Sequence, residues 1–201
     1  MDTTTMQKDT LLRAVKNLTL LVQEPARPES VLLERARQIM SELVQVDDWL
    51  DDEFARPHPE YYQQFLLYGD PLDRFSLVSF VWGPGQTTPV HDHTVWGVIG
   101  MLRGAETEQH FALNDQNRLV ASGEPTILQP GQIACVSPSI GDTHQVSNAF
   151  QDKTSISIHL YGGNIGRISR HVFYPGTARN KTFISGYSSH LSSNLWAGSR
   201  T

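Results

Sequence analysis

The chain of 201 residues has a single cysteine, Cys135. No internal disulfide can form, so the fold must rest on a packed core, and a reducing, cytoplasmic setting is expected. Runs of lysine or arginine are also missing: 16 basic residues stand against 21 acidic ones, for a formal net charge of −5. Nothing here offers the basic face needed to neutralise nucleic-acid phosphates, so no nucleic-acid partner is expected. No apolar stretch approaches the roughly 18 residues of a membrane span. The opening MDTTTMQKDT lacks the apolar centre of a secretory signal. With 39% hydrophobic and 18% charged residues, the composition is that of an ordinary globular protein of one domain, 1–201.

What is present divides into two parts. Over Asp9 to Glu24, the residues Leu11, Val15, Leu18 and Val22 recur at spacings of four and three, which predicts a helix. A second helix follows Pro25 and Pro28, with Leu32, Ala36, Ile39 and Leu43 on its apolar stripe. An acidic stretch, DDWLDDEF, leads into PHPEYYQQFLLYGD, whose pattern predicts a further short helix ending near Gly69. From Phe75 the period changes. Short β-rich runs (FSLVSFVW, VWGVIGML, TEQHFAL, PTILQ, QIACVSP, HQVSNAF, SISIHLYG and RHVFY) alternate with Gly, Pro, Asn and Asp. That rhythm predicts a mainly β sandwich or barrel over 75–175, with the helices of 1–70 packed on it. The Ser- and Gly-rich tail, 182–201, is expected to wrap the surface or fray.

Two groups of residues carry chemistry. His91 and His93 stand two apart in GQTTPVHDHTVWG, and alternate residues of a strand share a face, so both imidazoles can serve one metal ion. His144, in GDTHQVSN, supplies a third nitrogen, and three ligands on one side leave the opposite side open. Asp92 should face away from that metal and brace the turn. Ser157, His159 and Tyr161 alternate along SISIHLY, so all three project from one strand face, while Ile158 and Leu160 pack on the other. His110 and His171 fall outside any motif and read as surface or packing residues. Phe80, Trp82 and Trp96 read as core, and Cys135 as a small buried apolar residue.

Gly85, His91-x-His93, Gly97 and Gly104 are spaced as in the first cupin motif, with glycine where that motif carries a glutamate ligand. Pro138, Gly141, His144 and Asn148 resemble the second motif, with one extra residue between proline and glycine. The resemblance implies a cupin double-stranded β-helix, a jelly-roll barrel, with the metal in its mouth. Without the glutamate, and with Ser157, His159 and Tyr161, the chain resembles the bacterial thiol dioxygenases of the cysteine dioxygenase family. In that family three histidines hold one Fe(II) per chain, and a Ser-His-Tyr relay places the tyrosine hydroxyl near the iron. Mammalian-type members anchor the substrate carboxylate with an arginine in a Tyr-x-Arg-x-Leu run; here Tyr62-Gln63-Gln64-Phe65-Leu66 has Gln64 at that place. They also carry a Cys–Tyr crosslink whose cysteine falls near Gly97, which cannot form it. Both departures resemble the glutamine-type enzymes acting on 3-mercaptopropionate. There the carboxylate pairs with an arginine after the relay strand, a place matched by Arg170, with Arg167 as competitor.

The resemblance thus implies an enzyme that adds both atoms of O2 to the sulfur of a small thiol carboxylate, giving a sulfinate. Three neutral imidazoles suit Fe(II), and the absence of a ligand carboxylate leaves the metal more cationic toward an anionic thiolate. Cysteine dioxygenase proper is the nearest alternative. A non-catalytic metal-binding cupin needs the three histidines but not the relay, and a zinc or manganese cupin isomerase or hydrolase is a third reading. Oligomeric state is left open by the sequence.

Overall fold

The computed structural model describes residues 3–23 and 27–188. Helix α1 spans Thr3–Gln23 and α2 spans Glu29–Leu43. Leu11, Ala14, Val15, Leu18 and Leu21 of α1 are buried, as are Leu33, Ala36, Met40 and Leu43 of α2. The stripe on α2 is centred one position beyond the expected one, so Leu32 and Ile39 lie at its margin, half-buried. The expected end of the first helix, Glu24, and Pro25 lie outside the described residues. So does the tail beyond Ser188.

Among the described residues eleven strands follow: β1 (Gln63–Gly69), β2 (Ser76–Trp82), β3 (Val90–His91), β4 (Gly97–Arg103), β5 (Glu106–Leu113), β6 (Leu119–Leu128), β7 (Ile133–Val136), β8 (His144–Asn148), β9 (Ser155–Tyr161), β10 (Arg170–Phe173) and β11 (Asn180–Phe183). They form two antiparallel sheets, ordered β1-β2-β9-β4-β7 and β11-β10-β3-β8-β5-β6. This is the cupin double-stranded β-helix, with both helices on the outer face of the first sheet. Strands β2 and β9 are buried at every position because both faces are covered. Their outward residues Leu77, Val81, Ile156, Ile158 and Leu160 pack with the helices, while Val78, Phe80, Trp82 and Tyr161 pack inside the barrel. Each such fully buried aliphatic side chain is worth roughly 1.5–3 kcal/mol, so the helices are fixed to the sheet mainly by this layer.

The helix expected near Gly69 is instead β1. It pairs antiparallel with β2 from Gln63↔Val81 to Gly69↔Ser76. Phe65 and Leu67 alternate toward the helices, and Gln64 is buried as well. Here edge pairing and two-sided burial override the helical preference of Gln and Leu. The residues taken as the end of a helical region therefore close the barrel's first sheet. No helix among the described residues is long and apolar enough to cross a membrane.

Candidate metal centre and proton relay

His91 and His144 are direct cross-strand partners on β3 and β8, so their imidazoles rise from one face. Strand β3 ends at His91, and His93 is held by other means. Asp142 Oδ2 accepts the backbone N–H groups of His93 (3.0 Å) and Thr94 (2.8 Å), while Asp142 Oδ1 accepts from His93 Nδ1 at 2.9 Å. Thr94 sits at φ 60°, a left-handed turn that this carboxylate clamps in place. Asp92, between the ligands, points the other way and accepts from the backbone N–H and Nδ1 of His171, both at 2.7 Å.

All three histidines are buried, and one ligand atom of each lies within 4.8 Å of the others. Their Nδ1 atoms face acceptors: Pro89 O for His91 (3.0 Å), Asp142 for His93, and Glu108 Oε1 for His144 (2.5 Å). An acceptor at Nδ1 fixes the proton there and leaves Nε2 as the free lone pair, the arrangement found where histidine binds a metal. Burial first, and then the neighbouring imidazoles, hold His91 and His93 well below the usual histidine range, so both are neutral ligands. Burial raises the Glu108 carboxyl, but the hydrogen bond from His144 and the charges of His144 and His110 together outweigh it, and the net shift is downward. The donor set fits a divalent transition metal held by nitrogen alone.

Beside the triad runs a chain of hydrogen bonds. Tyr161 OH lies 2.8 Å from His159 Nδ1, and His159 Nε2 lies 2.8 Å from Ser157 Oγ. Ser157 Oγ in turn meets the Glu106 carboxylate and receives Trp82 Nε1–H at 3.1 Å. Phe80 stacks on the His159 ring, with centroids 4.1 Å apart, and Tyr161 stacks on His93 at 5.2 Å. Burial raises the Tyr161 hydroxyl, against the pull of Arg170, and lowers His159, so at neutral pH both are uncharged. Burial also pushes Glu106 up to about 7.

Of the three histidines, His91 lines a pocket of about 320 Å3, together with Phe80, Tyr62, Gln64, Arg170 and Lys181, among others. Arg170 is 3% exposed. Its Nη2 donates to Ser185 Oγ at 2.6 Å, its guanidinium lies 4.7 Å from the centre of the Phe183 ring, and its buried Nε has no partner. Arg167 is at the surface, 76% exposed and 3.7 Å from Asp73. Gln64 Nε2 donates to Gly186 O at 2.5 Å, and the Gln64 backbone pairs with Ser188, so Gln64 ties the segment after β11 to the pocket wall.

The family model for cysteine dioxygenase type I matches residues 1–173. The chain belongs to this family. It is therefore a thiol dioxygenase, an oxidoreductase that incorporates O2, rather than a non-catalytic cupin. Among relatives, cysteine dioxygenase type 1 of Danio rerio is 28% identical over 164 residues, 79% of this chain and 77% of that protein. The Homo sapiens protein of the same name is 35% identical over 91 residues, 44% of each chain. Solved structures similar to the chain include a conserved protein with a double-stranded beta-helix domain from Klebsiella pneumoniae (TM-score 0.44, 23% identity, 56% of this chain and 82% of that one). Another is a cupin superfamily protein from Desulfitobacterium hafniense (TM-score 0.43, 11% identity, 60% and 89%).

In this thiol dioxygenase the sequence reading missed Asp142, Glu106 and Glu108. The two glutamates alternate on β5 and so share its inner face, one reaching the metal triad and the other the relay. Alternation was visible in ETEQ, but alternating acids ordinarily mark a solvated face. Only the placement of β5 between β8 and β6 turns them inward. Gly97 lies against the relay: a Cβ there would stand 3.1 Å from both the Tyr161 ring and Val136. His110 and His171 stay outside the ligand set, each partly exposed beside its own carboxylate. Cys135 is half-buried against the helical core, where burial pushes its thiol up and leaves it unreactive.

Proposed function

We propose that the chain binds Fe(II) through His91, His93 and His144 and oxidises 3-mercaptopropionate to 3-sulfinopropionate. One observation supports this choice of substrate above the others: the pocket is lined by the cations Arg170 and Lys181 and by no carboxylate. A thiol carboxylate finds a counter-charge there, whereas the ammonium group of cysteine finds none and meets Arg170 instead. Arg170 Nε, buried without an acceptor, is the place where a substrate oxygen restores a missing hydrogen bond. A guanidinium can grip both carboxylate oxygens, which fixes how far the thiol sulfur reaches toward the histidines and so selects chain length.

When bound, the iron supplies the redox chemistry that lets O2 react with sulfur. The protein's own groups do the rest. Tyr62, Phe80 and Trp82 stack into an aromatic wall that keeps water from the reacting atoms. Tyr161 faces the substrate, its hydroxyl is held by His159 Nδ1, and Ser157 holds the far nitrogen of the His159 ring. Gln64 acts from the wall, keeping the 184–188 segment over Arg170. The thiol substrate and lone cysteine agree with a cytoplasmic setting.

The relatives named cysteine dioxygenase favour a second reading, in which cysteine is the substrate. Steady-state oxygen uptake with the two thiols separates them. A higher kcat/KM for 3-mercaptopropionate is expected, and a clear preference for cysteine would overturn the assignment. Metal analysis of protein purified without added metal tests the iron.

A further inference from the structure

We propose that Glu106 is the proton terminus of the active site: a proton lost by the thiol at Tyr161 is matched by a proton arriving on Glu106. Both ends of the hydrogen-bonded chain are occupied, Tyr161 against the His93 ring and Glu106 deep between the sheets, 2% exposed. Trp82 Nε1 can only donate, to Ser157 Oγ at 3.1 Å and to the Glu106 carboxylate, so it never accepts a proton from the chain. The remaining bonds then have two complete arrangements.

With Glu106 ionised, Ser157 donates to Glu106, His159 Nε2–H donates to Ser157, and Tyr161 O–H donates to His159 Nδ1. Tyr161 then shows the pocket only lone pairs. With Glu106 protonated, every bond reverses: Glu106 donates to Ser157, Ser157 to His159 Nε2, and His159 Nδ1–H to Tyr161. The Tyr161 hydroxyl hydrogen is then free to point at the substrate. Every bond within the chain is kept in either arrangement, and the two differ by one proton and by whether the Tyr161 O–H serves His159 or the substrate.

Passing between them balances without an outside reagent. The S–H bond of the thiol breaks and its proton joins Tyr161 O. The former Tyr161 proton moves to His159 Nδ1, the Nε2 proton to Ser157 Oγ, and the Ser157 proton to Glu106. Charge moves from the carboxylate to the sulfur, and Tyr161 ends as a donor facing the new thiolate.

The surroundings suit a stored proton. The titratable groups near Glu106 are Glu108 on its own strand, His159 and Tyr161 on β9, and His144 on β8 beyond Glu108. The other strands facing it present Trp82 from β2, Ile99 from β4, Leu128 from β6 and Ala134 from β7, none of which titrates. The void beside it is about 10 Å3, at the lower limit of what admits one water, so the relay is its route for exchange. A carboxyl pushed up to about 7 by burial is poised to take or give that proton at neutral pH. By this reading Glu106 is a positioning residue, since it touches the substrate only through Tyr161.

The idea rests on the substrate being a thiol, whichever thiol that is. The test is anaerobic calorimetry of the metal-loaded enzyme with 3-mercaptopropionate and with cysteine, near pH 8, in two buffers of different ionisation heat. Wild type should release about zero protons per thiol bound, and Glu106→Gln about one, because the amide cannot take it up. Ser157→Ala, which severs the chain and leaves Glu106 in place, should match Glu106→Gln and serves if that variant fails to fold. In infrared difference spectra, thiol binding to wild type should raise the C=O band of a protonated carboxylic acid, absent in Glu106→Gln. Equal proton release from wild type and both variants would overturn the role of Glu106 while leaving the thiol assignment intact. No binding of either thiol would overturn both.

Discussion

Replacing Glu106 by glutamine should change how stability depends on pH. The folded protein holds the Glu106 proton to about 7, against 4.5 for the exposed side chain. Between those values the unfolded chain has given up a proton that the folded chain keeps. Stability is therefore fully present below pH 4.5 and is lost as pH rises through 7. At 1.36 kcal/mol per pKa unit, the shift amounts to about 3 kcal/mol lost by wild type across that window. Glutamine fills the same space, can donate to Ser157 as the protonated acid does, and does not ionise. The two proteins should melt together near pH 5, and the variant should be the more stable above pH 7. For a chain of this size about 3 kcal/mol corresponds to roughly 6–12 °C in Tm. Thermal melts of both proteins at equal metal content, from pH 5 to 8.5, measure the gap. Parallel curves would show that Glu106 is not held protonated by burial, and a gap that closes with rising pH would reverse the sign of the reasoning.

Arg170→Gln should raise KM for 3-mercaptopropionate by about tenfold or more, the loss of a charge-assisted hydrogen bond of ~1.5–3 kcal/mol, with little effect on cysteamine, which has no carboxylate. An equal effect on both thiols would place Arg170 outside substrate binding. Asp142→Asn and Glu108→Gln should each weaken metal retention about 10- to 100-fold, since each withdraws the acceptor that orients a ligand imidazole; competition with a chelator reads this directly. Tyr161→Phe should lower kcat about 100-fold or more while metal content stays unchanged, the usual scale for losing a positioned proton donor.

Much of the fold was legible because its signals are local. The α1 stripe of Leu11, Val15 and Leu18 repeats at helical spacing, and eight β-rich runs correspond to β2 and to β4 through β10. Strand β1 was misread because the Gln and Leu residues of Gln63 to Gly69 favour a helix, and pairing with β2 decides its form. Strands β3 and β11 are short and are set by pairing alone, β3 with β8 and β10 and β11 with β10. The site divides in the same way. His91, His93 and His144 sit in spaced motifs, and Ser157, His159 and Tyr161 alternate within one strand. Arg170 could be named but not told from Arg167 until burial separated them.

The sequence by itself pointed to His91, His93 and His144 through the spacing of two motifs, and to the Ser157–His159–Tyr161 face through alternation along one strand. Tertiary structure alone decided what surrounds them: Asp142 and Glu108 behind the ligands, Glu106 at the foot of the relay, and a pocket wall with cations and no acid. The physical reason is that a strand's periodicity says which side chains share a face but not whether that face meets water or a buried imidazole. The same two glutamates of β5 would be a solvated edge on an outer strand. Between β6 and β8 they meet the buried imidazole of His144 and the buried hydroxyl of Ser157.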